Sequence, residues 1–135
     1  MEKYESVLSF QGYIVNEIVF KRNENFEEIE EGVQVNLNIT PKIRTDNEKM
    51  QINLIVSVFE EAEKNNYPFE IKVDLTGDFI ARGEEPTKFV GNAIAILYPY
   101  IRAIVSTYTA NANVTALILP TINVNKLIED QNKKD

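Results

Sequence analysis

The sequence predicts an α+β domain in which an antiparallel β-sheet is followed by helices. In the first part of the chain, apolar residues recur at every second position in four segments, which is typical of strands with one buried face. The connections between these segments are short or moderate in length, which favours antiparallel pairing. From Phe89 onward the apolar residues follow helical spacing instead. Strands followed by helices, in a chain of 135 residues, indicate one α+β domain over residues 1–135.

The first two predicted strands are separated by an acidic loop. The first strand runs from Leu8 to Phe20 and has a possible bend at Gly12. Its predicted inward face comprises Leu8, Phe10, Ile14, Ile18 and Phe20. Residues 21–32 are acidic and polar, so they predict a loop that crosses to the next strand and ends at Gly32. Strict alternation over residues 33–40 predicts the second strand, whose apolar face comprises Val33, Val35, Leu37 and Ile39.

The third and fourth strands have clearer boundaries. Residues 41–48 are rich in charge and turn formers and predict a link to the third strand, within residues 49–62. The inward face of that strand comprises Met50, Ile52, Leu54, Val56 and Val58. The fourth strand is predicted within residues 67–81, with an inward face of Phe69, Ile71, Val73 and Leu75.

The long helix, predicted between Phe89 and Ala110, is apolar nearly all round. A sheet can cover only one side of such a helix, so the other side needs a second surface. Another copy of the chain is the simplest such surface, and the C-terminal segment Val114 to Ile128 is the alternative. Pro99 would cost about 3 kcal/mol in a helix interior and less near the first turn or at a kink.

The end of the chain predicts a short helix within residues 123–135, capped by Asn123 or Asn125. Residues 1–7 and 131–135 are expected to be flexible ends. The N-terminus shows no basic region followed by an apolar run. The longest apolar stretch, 93–105, is interrupted and too short to span a bilayer. We therefore expect a cytoplasmic protein without direct membrane insertion.

The composition argues against several classes of function. Cys is absent, which excludes disulfides, thiolate zinc sites and cysteine nucleophiles, and His, the commonest metal ligand and general base, is absent too. The net charge of -7 argues against nucleic-acid binding and favours basic or neutral partners. We therefore expect no metal, no cofactor and no catalysis. An enzyme that uses Asp74 and Asp78 beside Gly77 is a remote alternative, because a strand end and turn explain the same residues.

Residues 92–130 resemble the corresponding region of SecB, the bacterial protein-export chaperone. The resemblance depends first on the element Leu97-Tyr98-Pro99-Tyr100-Ile101-Arg102 in the long helix. A region rich in Ser and Thr, a turn, an apolar run with Leu and Pro, and a short terminal helix follow in the family's order, at residues 106–109, 111–113, 117–120 and 124–130. Upstream, "LSFQGYIVNEIVF" resembles the family's first strand, so the resemblance covers about residues 8–130.

The resemblance implies a four-stranded antiparallel sheet with the long helix and the short C-terminal helix packed on one side, assembled as a dimer of dimers. In the family, first strands pair across one interface, and the long helices lie between sheets at the other. The matching helix residues, expected at the oligomer interface of a homotetramer, are Ile94, Leu97, Tyr98, Tyr100, Ile101, Val105 and Tyr108.

The resemblance also implies a binding activity: holding unfolded or slowly folding polypeptides without ATP. The residues that match the family's client groove are Phe26, Ile29, Val33, Val35, Leu37, Leu127 and Ile128. Phe26 and Ile29 have an equally good explanation as anchors of their own loop, and the three strand residues are also explained as plain core. The acidic run at residues 27–31 has two explanations. It is either solvated loop charge or a negatively charged border that attracts basic segments of unfolded chains and repels folded acidic proteins.

In export systems, family members pass clients to the translocase motor SecA. Of the acidic positions that contact the motor in the family, Glu17 matches, whereas Lys21 and Lys72 reverse the charge. Two reversed charges would weaken that docking. Other family members act as chaperones for antitoxins, so an adaptor for one partner, such as an antitoxin, is the alternative.

Overall fold

The computed structural model describes residues 6–134 and confirms the four-stranded antiparallel sheet followed by helices. The strands are β1 (Leu8–Arg22), β2 (Leu37–Asp46), β3 (Lys49–Val58) and β4 (Phe69–Ala81). The helices are α1 (Ala62–Asn65), α2 (Val90–Asn111), which follows a 3₁₀ turn at Pro86–Phe89, and α3 (Val124–Lys134). The strand order is β1-β4-β3-β2, and every neighbouring pair is antiparallel. Strands β1 and β2 are consecutive in the chain but lie at opposite edges of the sheet. Residues 23–36, which connect them, therefore cross the sheet, and we call them the crossing loop.

Strand β1 contains two bulges that the alternation did not predict. Its register against β4 shifts between Phe10 and Gly12 and again between Val15 and Glu17. Gly12 has φ 120°, so the bend predicted there is confirmed. Because each bulge reverses the side-chain alternation, Tyr13 and Val15 join the face of Phe10, whereas Ile14 turns to the opposite face and is 65% exposed. The inward position predicted for Ile14 is therefore wrong.

Strand β2 lies further along the chain than predicted. The strand begins at Leu37, so Val33 and Val35 belong to the crossing loop. Residues 41–46, predicted as a link, pair with β3 instead, and only Asn47 and Glu48 connect the two strands. Asn47 has φ 56°, which Asn tolerates in a tight hairpin turn. The apolar positions Leu37, Ile39, Pro41 and Ile43 continue the period-two pattern into the charged stretch, which explains why β2 extends there.

Helix α2 packs on one face of the sheet and completes the core. Ile94, Leu97, Ile101 and Val105 are fully or almost fully buried against residues of β3 and β4. A Cβ at Gly77 would lie 2.5 Å from Leu97 Cδ2, so this glycine allows the helix to approach the sheet closely. Pro99 lies in the helix interior and is exposed on the side away from the sheet. The carbonyl of Ala95, which loses its helical N–H donor, also belongs to an exposed residue and can be solvated.

The second side of α2 is covered by the chain itself, which is the alternative considered above. The connecting segment, residues 112–123, runs back along α2 to α3. Its Leu119 side chain is fully buried. Four α2 side chains bond to its backbone: Tyr98, Arg102, Ser106 and Thr109. At the end of the segment, Asn123 Oδ1 accepts a hydrogen bond from the Lys126 N–H at 3.0 Å, which identifies Asn123 as the cap of α3.

Candidate functional site

An apolar groove lies between the edge strand β2 and the helices. Its apolar lining comprises Pro41 and Ile43 of β2, Val90 and Ile94 of α2 and Ile128 of α3, and its polar lining comprises Thr87, Gln131 and Asn132. The groove has a cavity volume of about 230 Å³. Ile43 is 42% exposed in the protomer, although it lies on the same sheet face as the core residues of β2. The protomer thus leaves an apolar recess open along one edge.

The crossing loop presents apolar side chains among acids. Ile29 is 48% exposed and Val35 is 42% exposed, whereas Phe26 is half-buried. The loop is fixed beside Phe26, because Asn66 Oδ1 accepts a hydrogen bond from Glu27 N–H at 2.9 Å, and Asn66 Nδ2 donates to Glu27 O at 2.8 Å. These bonds hold the loop through the Glu27 backbone, and Ile29 is the more exposed of the two apolar residues in the acidic stretch.

The other residues expected to bind clients are partly buried. Val33, Leu37, Leu127 and Ile128 pack against the core with part of each side chain exposed. Ile128 lies beside the first turn of α2, where its Cδ1 atom would be 3.5 Å from a Cβ at Gly91. Ile128 therefore lines the same groove as the β2 residues Pro41 and Ile43. The structure brings Val33 and Leu37 to the core edge, and it leaves Val35 pointing to solvent.

Most residues expected at the oligomer interface are buried within the protomer. Ile94, Leu97, Tyr98, Ile101 and Val105 are at most 4% exposed. They cannot offer surface to another copy, because the sheet and the connecting segment already cover them. Tyr100 and Tyr108 remain 37% and 40% exposed and stay candidates for an interface.

Tyr100 and Tyr108 belong to an aromatic band between α2 and β1, which comprises Phe10, Tyr13, Phe20, Tyr100 and Tyr108. The ring centroids of Tyr13 and Tyr100 are 4.5 Å apart, those of Phe10 and Tyr100 are 5.9 Å apart, and those of Phe20 and Tyr108 are 5.8 Å apart. Alternation alone missed Tyr13, because the first bulge brings it to this face. The glycine at position 12 was the one feature of the sequence that could have indicated this bulge.

The outer face of the sheet, opposite the helices, is mostly polar, and two of its acids are bonded to side chains of neighbouring strands. Glu17 Oε1 lies 3.1 Å from Lys72 Nζ. Asp74 Oδ1 accepts hydrogen bonds from the side-chain amides of Asn16 and Asn53, at 3.0 and 2.6 Å. The carboxylates considered for catalysis are thus bonded to amides on an open strand face. Among residues 6–134 no group of three or more acidic side chains could hold a metal ion.

By length and composition, residues 86–111 could span a membrane, and they are the one such stretch in the described part of the chain. The core helix of a globular domain meets the same criteria. Here α2 packs its apolar side on the sheet, with seven residues buried. The helix is therefore accounted for as the core helix of this fold.

A family model described as preprotein translocase subunit SecB matches residues 4–135. The chain belongs to the SecB family. The fold agrees with this membership: a SecB-like chaperone of Mycobacterium tuberculosis, solved in complex with a ChAD peptide from the HigA1 antitoxin, superposes with a TM-score of 0.66 at 14% identity, over 85% of this chain and 90% of that one. The family is one of chaperones and is not enzymatic.

Two further relatives extend the comparison. An uncharacterized protein of Methanocaldococcus jannaschii is 36% identical over 124 residues, which cover 87% of this SecB-family chain and 79% of the relative. A protein of unknown function from Streptococcus agalactiae covers 84% of this chain and 97% of its own, at 18% identity. Its TM-score of 0.48 is too low to support an argument about the fold.

Proposed function

We propose that this SecB-family protein is an ATP-independent holdase that binds unfolded or slowly folding polypeptides. The observation that supports it is the apolar surface that the protomer leaves open at Ile29, Val35 and Ile43, each 42–48% exposed. Unfolded chains expose apolar side chains, and their burial on such a surface contributes roughly 25 cal/mol per Å². Family membership and the peptide-bound fold relative point to the same activity.

Charge around this surface suits a chaperone that must stay dispersed while loaded. The crossing loop carries five glutamates and no basic residue. These acids keep an exposed apolar segment soluble and disfavour binding of acidic folded proteins. Client binding is assigned to Phe26 and Ile29 of the loop, to Val33, Val35 and Leu37, and to the α3 residues Leu127 and Ile128.

Transfer of clients to SecA is the less favoured extension of this function. Glu17, the acid expected to dock the motor, already faces Lys72 at 3.1 Å. A basic surface of the motor would have to displace Lys72 before it could pair with Glu17, and this would lower its affinity. This pairing favours the second candidate, a dedicated chaperone for one partner such as an antitoxin. Recovery of one dominant partner from cell extract, in place of many clients, would distinguish it.

The assembly proposed with this function is a homotetramer built as a dimer of dimers. Strand β1 is an edge of the sheet, and the aromatic band beside it includes exposed Tyr13, Tyr100 and Tyr108. An unpaired edge next to apolar surface is suited to isologous pairing with another copy. The interface would then use the β1 side of α2, because the connecting segment occupies the other side.

Suppression of aggregation tests the proposal. Without nucleotide, stoichiometric wild-type protein should delay the aggregation of a thermally unfolding client, followed by light scattering. The double variant Phe26→Ser and Ile29→Ser should delay it less, whereas Ile14→Ser, which alters an exposed residue on the outer face, should act like wild type. Native mass measured in parallel shows whether assembly is retained. Wild-type protein that gives no delay would refute the holdase.

A further inference from the structure

The connecting segment is an extended strand held along α2. Leu117 bonds to Ser106 and Thr109, the Leu119 carbonyl accepts from Arg102 Nε at 3.1 Å, and the Pro120 carbonyl accepts from Tyr98 Oη at 2.6 Å. From residue 106 to residue 98 the helix rises about 12 Å. Three residues of the segment, from 117 to 120, cover nearly the same distance, and a fully extended chain reaches about 10 Å in three residues. The segment therefore runs antiparallel to the helix and is extended over residues 117–119. The alternation ends at Pro120, whose carbonyl bonds to α2 like that of Leu119.

One edge of this strand is used and the other is free. The Leu117 N–H donates to Thr109 Oγ1 and the Leu117 carbonyl accepts from Ser106 Oγ, both at 2.9 Å. In an extended chain, neighbouring residues direct their N–H and C=O groups to opposite edges. The backbone groups of Ala116 and Ile118 therefore point away from α2, and within residues 6–134 they have no hydrogen-bond partner. The Ile118 side chain is 75% exposed.

We propose that the outward edge at Ala116–Ile118 binds an extended stretch of client polypeptide by strand addition, with apolar client side chains covering Ile118. The proposal rests on the holdase function. It adds backbone pairing with the client, which binding in the apolar groove alone would not require. Backbone pairing reads no side-chain sequence, so it suits a chaperone that accepts many clients, and every extended segment supplies the complementary N–H and C=O groups.

The chemistry of the segment favours an uncharged, extended partner. Residues 112–123 contain no charged side chain. The exposed edge strand β2, in contrast, carries Lys42 and Arg44, the kind of residues with which proteins block edge pairing. The free edge is also held in place by four α2 side chains, so a partner does not have to order it on binding. An unblocked, preorganised edge beside an exposed Ile is the geometry that strand addition requires.

The test uses matched proline variants and a backbone-modified probe. Ala116→Pro removes an outward N–H, whereas Thr115→Pro removes an N–H on the helix side that makes no bond among the described residues. The probe is a fluorescent peptide with an uncharged apolar core, prepared unmodified and with N-methyl groups along one edge or the other. Anisotropy gives its affinity, and thermal unfolding shows that both variants fold.

We expect Ala116→Pro to bind the peptide about 5-fold more weakly than wild type, the equivalent of one net hydrogen bond, and Thr115→Pro to bind like wild type. Methylation of one peptide edge should weaken binding and methylation of the other should not. Ile118→Thr should also weaken binding.

Three results would overturn the strand-addition proposal. Equal affinity of Ala116→Pro and wild type would do so while leaving the holdase function intact. A lower native mass of Ala116→Pro, with unchanged peptide affinity, would assign the edge to a second copy of this chain. If the wild type binds no unfolded polypeptide at all, the holdase function itself fails.

Discussion

At the scale of single residues, Gly77 decides how closely α2 approaches the sheet. A methyl group at this position would lie 2.5 and 2.9 Å from the two Cδ atoms of Leu97, which is itself fully buried. A turn of the Leu97 side chain would press it against other residues of the close-packed core, so Gly77→Ala should overpack the core. We expect a loss of about 1–3 kcal/mol in the free energy of unfolding, measured by urea denaturation.

A double-mutant cycle checks the cause of that loss. Leu97→Ala alone creates a cavity and should be destabilising. In the Leu97→Ala background the added methyl of Gly77→Ala meets no Cδ atoms, so its cost should nearly vanish. Additive losses would mean that Gly77 matters for its backbone and not for helix contact.

At the scale of elements, the connecting segment is attached to α2 through side chains, and Tyr98 is one of its buried polar anchors. Burial raises the pKa of the Tyr98 hydroxyl above its ordinary value of 10.0, while the Arg102 guanidinium lowers it in part. The unfolded chain therefore loses this proton first as pH rises. The contribution of Tyr98 to stability is complete below about pH 10 and decreases above it.

Tyr98→Phe tests this anchor. Loss of the bond to Pro120 O should reduce the free energy of unfolding by about 1 kcal/mol at neutral pH. Because the variant lacks the titrating hydroxyl, its stability difference from wild type should shrink above pH 10. A difference that stays constant through alkaline pH would contradict the assignment.

The same elements show how much the sequence could predict. Strands β3 and β4 lie within their predicted limits and α2 within a residue of its own, because their apolar period is uninterrupted. The end of β2 was missed because Lys42 and Arg44 face solvent on an edge strand, where charge is compatible with pairing. The position of Ile14 was missed because two bulges reversed the alternation twice.

For the candidate site, the sequence predicted the acidic loop with its exposed apolar residue and the helix that carries Ile128. It could not predict Ile43, since that residue lay in a stretch interpreted as a link, or Ile118, which stands out only through its exposure. Single-residue exposure depends on tertiary packing: Leu117 and Leu119 are adjacent to Ile118 and turn inward. Periodicity assigns a face only where a partner surface is already known.

At the scale of the whole molecule, α2 has two flanks with different roles. The connecting segment covers one flank, and the sheet and this segment together bury five of the residues expected at an interface. The other flank, with β1, retains the aromatic band.

The aromatic band therefore predicts where assembly can be broken without unfolding the protomer. Tyr100→Asp combined with Tyr108→Asp places two carboxylates on a surface that would be buried between copies, and the cost of burying unpaired charge should drive dissociation. Native mass spectrometry should show the wild type as a tetramer and this variant as a smaller species with an unchanged far-UV CD spectrum. The pair Tyr100→Phe and Tyr108→Phe keeps both rings and should assemble normally. A monomeric wild type, or an Asp variant that assembles fully, would show that the aromatic band is not the interface.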